Sequence, residues 1–272
     1  MTLCPSLRVD ESSESYEAIL KYYSKAKIGL NAGESVDVAW LQEHLNPMAT
    51  LEWTVYGFPD DIEDNFFNLP IARLHVKLDG EVNISEFKKT LPRLSHLKSL
   101  RMLDHGEFVP LEEDEDETED CGEDYHKTWH YVLQFAAKND QLSELDIYPE
   151  FHARNEVDLV HLTEWLRRPS ARVFSLTTQY FWAPHGFGMD DDGFSELDDA
   201  VKQTFYQAMF NSPLERLTLT GRRLQDMDMA PFTCSMKVLQ LIECGLRDGA
   251  SETLIQSIGK LKCDRFRVEI SQ

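Results

Sequence analysis

His126 and His130 enclose Lys127-Thr128-Trp129, a spacing that sets two imidazoles one helical turn apart, where a metal ion could bridge them. The zinc-protease form of that pair needs a glutamate directly after the first histidine as general base, and here the residue is Lys127. No third ligand lies near, so the pair reads as two polar positions of a helix. A calcium loop would need alternating oxygen ligands and a glycine at the sharp turn. Neither Asp190-Asp191-Asp192 nor the acidic run from Glu112 to Asp124 has that order. GxxxxGK[ST], GxGxxG and GxSxG are all missing from the sequence, which removes the usual phosphate cradles and the nucleophile elbow. The expectation is a chain without a catalytic site, metal or cofactor.

The five cysteines (Cys4, Cys121, Cys234, Cys244 and Cys263) are odd in number, and no two have the close spacing of a zinc knuckle. They read as free thiols in a reducing compartment. Met1 to Glu14 lack the basic start and apolar stretch of a signal peptide. No apolar run nears the roughly 18 residues of a membrane helix. These features predict a cytoplasmic or nuclear protein without a membrane partner, in which the sequon Asn83-Ile84-Ser85 has no role. The net charge of −21, from 48 acidic and 27 basic residues, repels phosphate backbones and argues against nucleic acid.

The elements that must position any site announce themselves by repetition. Leu94-Ser-His-Leu97-Lys-Ser-Leu100-Arg-Met102 contains the apolar frame LxxLxL. It recurs as Ile71–Leu74–Val76, Leu142–Leu145–Ile147, Leu214–Leu217–Leu219 and Met236–Leu239–Leu241. Weaker copies are Cys4–Leu7–Val9, Met48–Leu51–Trp53, Ala171–Phe174–Leu176 and Cys263–Phe266–Val268, with Lys25–Ile28–Leu30 matching in part. The central residues lie 21, 23, 23, 26, 45, 29, 43, 22 and 27 residues apart. Alternation within each frame makes a short strand with its apolar residues on one face, and the chain between frames must return it to stack in parallel. Helical spacing occurs in five of these returns: Ile84–Leu91, Trp129–Ala137, Val157–Leu166, Leu197–Phe210 and Leu254–Leu261. Asn139-Asp140, Pro169 and Pro213 mark helix ends.

Met236-Lys-Val-Leu239-Gln-Leu241-Ile-Glu-Cys244-Gly-Leu246 completes the pattern LxxLxLxxCxL, and with it the chain resembles the cytosolic leucine-rich-repeat family of the ribonuclease-inhibitor type. That resemblance implies an α/β solenoid, a horseshoe of about ten short parallel strands on the concave face with helices outside. It also implies a cysteine at position 244 that satisfies backbone groups in the turn after the strand. Elsewhere the equivalent position holds Tyr56, Asp79, His105, Glu150, Gln179 or Arg222, so the usual ladder is missing. The repeats span residues 1–272 as one domain, and the two long intervals contain either insertions or a further strand each. The first insertion, 111–124, is acidic, with ten carboxylates between Glu112 and Asp124; the second, 180–193, is aromatic and then acidic.

The residue between the two strand leucines faces the concave side, which gives the column Arg8, Gly29, Glu52, His75, Arg101, Asp146, Ser175, Thr218, Gln240 and Arg267. Two positions further along comes a second column that includes Thr54, Lys77, Tyr148, Thr177 and Thr220. The expectation is a non-catalytic module for protein–protein interaction. It would use Glu52, His75, Arg101, Asp146, Tyr148, Ser175, Thr177, Thr218 and Gln240, with Phe181 and Trp182 of the second insertion as aromatic anchors. Both insertions and the acidic turn Asp60–Asp64 leave the same rim, so the partner expected there is a basic protein segment. The first frame begins at Cys4, without room for a cap, which suits either a degenerate family member or the repeat part of a longer chain, for example in a larger assembly such as the substrate receptor of a ubiquitin ligase. Two other readings compete. One is a hydrolase or metal-dependent enzyme with its site among the concave polar residues. The other is an acidic histone-binding repeat protein, although the acid run of that class is a long tail and here it is short and internal.

Overall fold

A computed structural model describes residues 7–8, 27–31, 38–46, 50–56, 58, 62–78, 84–104, 121–148, 156–177, 197–221, 224, 236–242, 244 and 265–269. The chain divides into two compact units, Met1–Tyr131 and Val132–Gln272. Both are α/β with parallel strands in chain order.

In the first unit the strands are β1 (Leu7–Arg8), β2 (Lys27–Asn31), β3 (Thr50–Tyr56), β4 (Ile71–Leu78) and β5 (Ser99–Asp104). Each pairs in parallel with the next. Helices α1 (Val38–His44) and α2 (Ile84–Thr90) and two 3-10 turns, Asp64–Asn68 and Leu91–Arg93, lie in the returns. Period-two patterning makes β3 and β4 strands with one wet face. Leu51, Trp53 and Val55 are buried while Glu52 and Thr54 between them are half-buried, and Leu74 and Val76 alternate likewise with Arg73, His75 and Lys77. Aromatic rings fill the space between the buried face and the returns. The Trp53 ring centroid is 4.6 Å from that of Phe66 in the first 3-10 turn, and Phe58 is 4.7 Å from Phe87 of α2. Each such ring removed from water contributes about 1.5–3 kcal/mol.

The second unit contains β6 (Glu144–Tyr148), β7 (Val173–Thr177), β8 (Arg216–Thr220), β9 (Val238–Ile242) and β10 (Arg265–Glu269), again paired in parallel in that order. Helix α3 (Cys121–Lys138) contains the boundary between the units, and α4 (Glu156–Leu166) and α5 (Asp199–Asn211) fill the later returns. Trp129, Val132, Leu133, Ala136 and Ala137 form the buried stripe of α3 at the three- and four-residue spacing of one helical face. Trp165 of α4 packs its ring 5.8 Å from Phe174 of β7, so helix and strand share one core. The helix α5 ends at Asn211, where Pro213 follows and cannot continue it. Gly221, just after β8, has φ 69°, a left-handed turn that a residue with a Cβ adopts only at a penalty.

Every frame centre from Leu7 to Phe266 lies within a strand, and the partners confirm most of the alignment. Leu145, Phe174, Leu217, Leu239 and Phe266 are successive register partners in the second unit. In the first unit the step from β3 to β4 departs from it. Leu51 pairs with Ile71 and Glu52 with Arg73, so Ala72 is an extra residue, and beyond this bulge Trp53 stands level with Leu74. The frames put Leu51 there instead. Leu51, Trp53 and Val55 all alternate inward, so a slip by two residues keeps every apolar side chain buried, and burial alone does not choose between the registers. Ile71 and Ala72 are accordingly buried in succession, as a bulge requires.

One expected return helix changes, and two other returns contain elements that the sequence reading did not include. The helix expected at Trp129–Ala137 begins at Cys121, so Cys121 to Asp124, read as the end of the acidic insertion, are helical. The helix α1 and the 3-10 turn Asp64–Asn68 were not expected at all. The helix expected over Leu254–Leu261, the rest of the acidic insertion at 111–120 and the insertion at 180–193 lie outside the described residues.

Candidate functional site

Backbone register assembles two rows of side chains, one on each unit, on the strand faces turned from the core. In the second unit Asp146 of β6 pairs with Ser175 of β7, Ser175 with Thr218 of β8, Thr218 with Gln240 of β9, and Gln240 with Arg267 of β10. The first four are half-buried and Arg267 is exposed. The Thr218 hydroxyl donates to Gln240 Oε1 at 3.1 Å, which fixes the orientation of that amide. Beside this row Thr177 and Thr220 are partners across β7 and β8, and Tyr148, 38% exposed, ends β6. The row is therefore a ladder of hydroxyl, amide and charged groups held at the strand spacing of about 4.8 Å.

The first unit carries a more charged row. Glu52 of β3 lies against two cationic or ionisable groups of β4: Oε2 is 3.8 Å from Arg73 Nη1, and Oε1 is 3.6 Å from His75 Nε2. His75 in turn is the register partner of Arg101 on β5, and Lys77 that of Leu103. The slip at the bulge reorders the expected columns here, because Glu52 is level with Arg73 and it is Thr54 that pairs with His75. Glu52 still reaches His75, but diagonally.

Of the residues expected from sequence to meet a partner, Glu52, His75 and Arg101 thus share the face of the first unit. Asp146, Tyr148, Ser175, Thr177, Thr218 and Gln240 share that of the second. Phe181 and Trp182 lie outside the described residues. Arg73 was missed, although the alternation Arg73-Leu74-His75-Val76-Lys77 contains the signal: residues two apart on a strand share a face, so β4 offers three outward positions where the two columns took only His75 and Lys77.

Among the described residues no three or more histidines, cysteines or carboxylates gather where they could hold a metal ion. His126 and His130 both fall on α3, one turn apart. Among the described residues no helix is long and apolar enough to cross a membrane.

Cys244 lies two residues beyond the end of β9, 2% exposed, with its thiol 3.5 Å from the carbonyl oxygens of both Leu219 and Ile242. It ties the ends of two adjacent strands together and leaves the site itself to the outward rows.

Strands and site together define an α/β protein of parallel strands, with polar rows on the outward faces of the described strands in each unit. No family model, no curated protein and no solved structure matches the chain.

Proposed function

We propose that this chain is a non-catalytic binding module of the leucine-rich-repeat type, a solenoid that recognises a protein partner through the outward faces of its parallel strands. One observation carries the reading. Side chains of different chemistry, from Asp146 through Ser175, Thr218 and Gln240 to Arg267, are brought into single file by backbone register, while α4 packs Trp165 against Phe174 on the opposite face of β7. A file of unlike polar groups suits an irregular protein surface, where each position meets a different neighbour. The geometry at Cys244 supports the repeat type, since a buried thiol against two strand-end carbonyls does what the resemblance implies of that position.

The test is a comparison of partners captured from cell lysate by the wild-type chain and by a variant with Asp146→Ala, Thr218→Ala and Gln240→Ala. These side chains lie outside the apolar core, so the variant should keep the wild-type melting temperature within a few degrees. A protein captured by the first and lost by the second supports the module. Identical captures by both folded proteins would overturn it.

A further inference from the structure

The outward positions of β7, β8 and β9 form a grid of three by three, set by register and by the alternation of buried and half-buried residues along each strand. Its middle row is Ser175, Thr218 and Gln240. Arg216 is its one charged residue, although 28% of the chain is charged and the outward residues of β4 are Arg73, His75 and Lys77. Strand geometry therefore does not exclude charge from such a face. Val173, Thr177, Thr220, Val238 and Ile242 join Thr218 as β-branched residues, whose side-chain rotation is already restricted. Covering them costs less entropy than covering the lysines and glutamates of an ordinary solvated face.

Hydrogen bonding points the same way. The Thr218 hydroxyl donates to Gln240 Oε1, which leaves the two donors of Gln240 Nε2 unused. Among the described residues, Gln240 Nε2 and the hydroxyls of Ser175 and Thr177 have no hydrogen-bond partner, although all three side chains are half-buried.

From this we infer that the outward face of β7, β8 and β9 takes an uncharged, extended peptide segment of a partner protein, hydrogen-bonded by Ser175, Thr177 and Gln240. The inference rests on the binding-module reading and names the partner's chemistry, neutral where the acidic runs of the sequence suggest a basic segment. Ser175 and Thr177 are about 6.7 Å apart along β7, the repeat of same-side backbone groups in any extended chain. A segment lying along that strand offers one carbonyl or N–H to each hydroxyl. Gln240, two strands away at about 9.6 Å, is within reach of an amide side chain of the segment. A charged side chain would leave water for a grid whose one ionic group is Arg216, so the face selects against it. A saccharide would need an aromatic face to stack on, and no residue of the grid supplies one.

The experiment is fluorescence anisotropy of the full chain with labelled peptides of alternating Gln and Thr, of alternating Lys and Ser, and of alternating Glu and Ser, and with labelled maltoheptaose. The Gln/Thr peptide should bind, with an affinity that changes less than about twofold between about 50 and 500 mM salt. The other three probes should bind about tenfold more weakly or less. The variant Ser175→Ala, Thr177→Val, Gln240→Met keeps side-chain volume nearly constant and should lose about tenfold in affinity for the Gln/Thr peptide. Ser175→Ala alone should lose about threefold and Ser175→Thr, which keeps the hydroxyl, should stay within about twofold, a comparison that decides even if the triple variant does not fold. No binding of the Gln/Thr peptide, equal binding by the folded triple variant, a salt dependence of about tenfold, or tighter binding of a charged peptide or of maltoheptaose would overturn the inference. So would a captured protein partner lost by the Asp146, Thr218 and Gln240 variant but held in full by Ser175→Ala, Thr177→Val, a result that leaves the module itself standing.

Discussion

The indole nitrogen of Trp165 donates a hydrogen bond of 3.2 Å to the backbone carbonyl of Leu142, and both residues are fully buried. Trp165 lies in α4, and Leu142 leads into β6, so one side chain supplies apolar area to the core and also satisfies a carbonyl at the start of a strand. Trp165→Phe keeps most of the ring and strands that carbonyl without a partner, at an expected loss of about 1–3 kcal/mol. Trp165→Ala adds a cavity against Phe174 and should lose about 3–5 kcal/mol. Urea unfolding followed by circular dichroism distinguishes the two. If Trp165→Phe unfolds at the wild-type midpoint, the hydrogen bond contributes nothing to the fold.

The strands were legible because parallel β-structure with one buried face writes itself as alternation, and the frames around Leu74, Leu145 and Leu217 repeat that alternation at a regular interval. The bulge at Ala72 was not legible. Pro70-Ile71-Ala72 offers two small or apolar residues in succession, and alternation alone has no term for a residue that interrupts it. The early start of α3 was hidden for a different reason. Cys121-Gly122-Glu123-Asp124 has neither apolar period nor helix-forming composition, and its helical turn grows outward from the amphipathic stripe that begins at Trp129. Site residues were legible as positions on a face rather than as chemistry. Their identities varied from strand to strand, and the electrostatic company of Glu52 depends on a register that the frames misplace by two residues.

The thiol of Cys244 should be chemically silent in the folded protein. It is 2% exposed and its hydrogen-bonding atoms face backbone carbonyls, whereas reactive cysteines sit in accessible, electropositive surroundings. Brief alkylation followed by peptide mass spectrometry should find Cys244 unmodified in the native chain and modified in denaturant. Cys244→Ala should destabilise by about 1 kcal/mol through the lost weak donor and the small void beside Leu219. Rapid native alkylation would contradict the burial.

Asp198 starts α5 by accepting a 2.7 Å hydrogen bond from the backbone N–H of Ala200. Its extended backbone, φ −58° and ψ 132°, turns the carboxylate back over the first turn, whose N–H groups have no partner within the helix. Asp198→Ala should therefore lower stability by about 1 kcal/mol, while Asp198→Asn keeps the acceptor and should lose only the attraction of the charge for the helix N-terminus, about 0.5 kcal/mol. Thermal melts of the three proteins read that order directly. An asparagine variant as unstable as the alanine variant would assign the whole effect to charge.

Tyr131, on α3, has its phenol pushed above the ordinary value of 10.0 by burial, which disfavours the phenolate. The Lys88 ammonium of α2 lies 5.9 Å from the ring centroid, a cation over the aromatic face. A folded-state value above the unfolded one means that the fold holds this proton more tightly than the open chain does. The resulting stability is fully present below about pH 10 and is lost as pH rises through the raised folded-state value. Spectrophotometric titration of the native protein should show a late-ionising phenol that is absent in Tyr131→Phe, and that variant should lose stability less steeply above about pH 10. A native protein whose phenols all ionised at the ordinary value would contradict the burial of Tyr131.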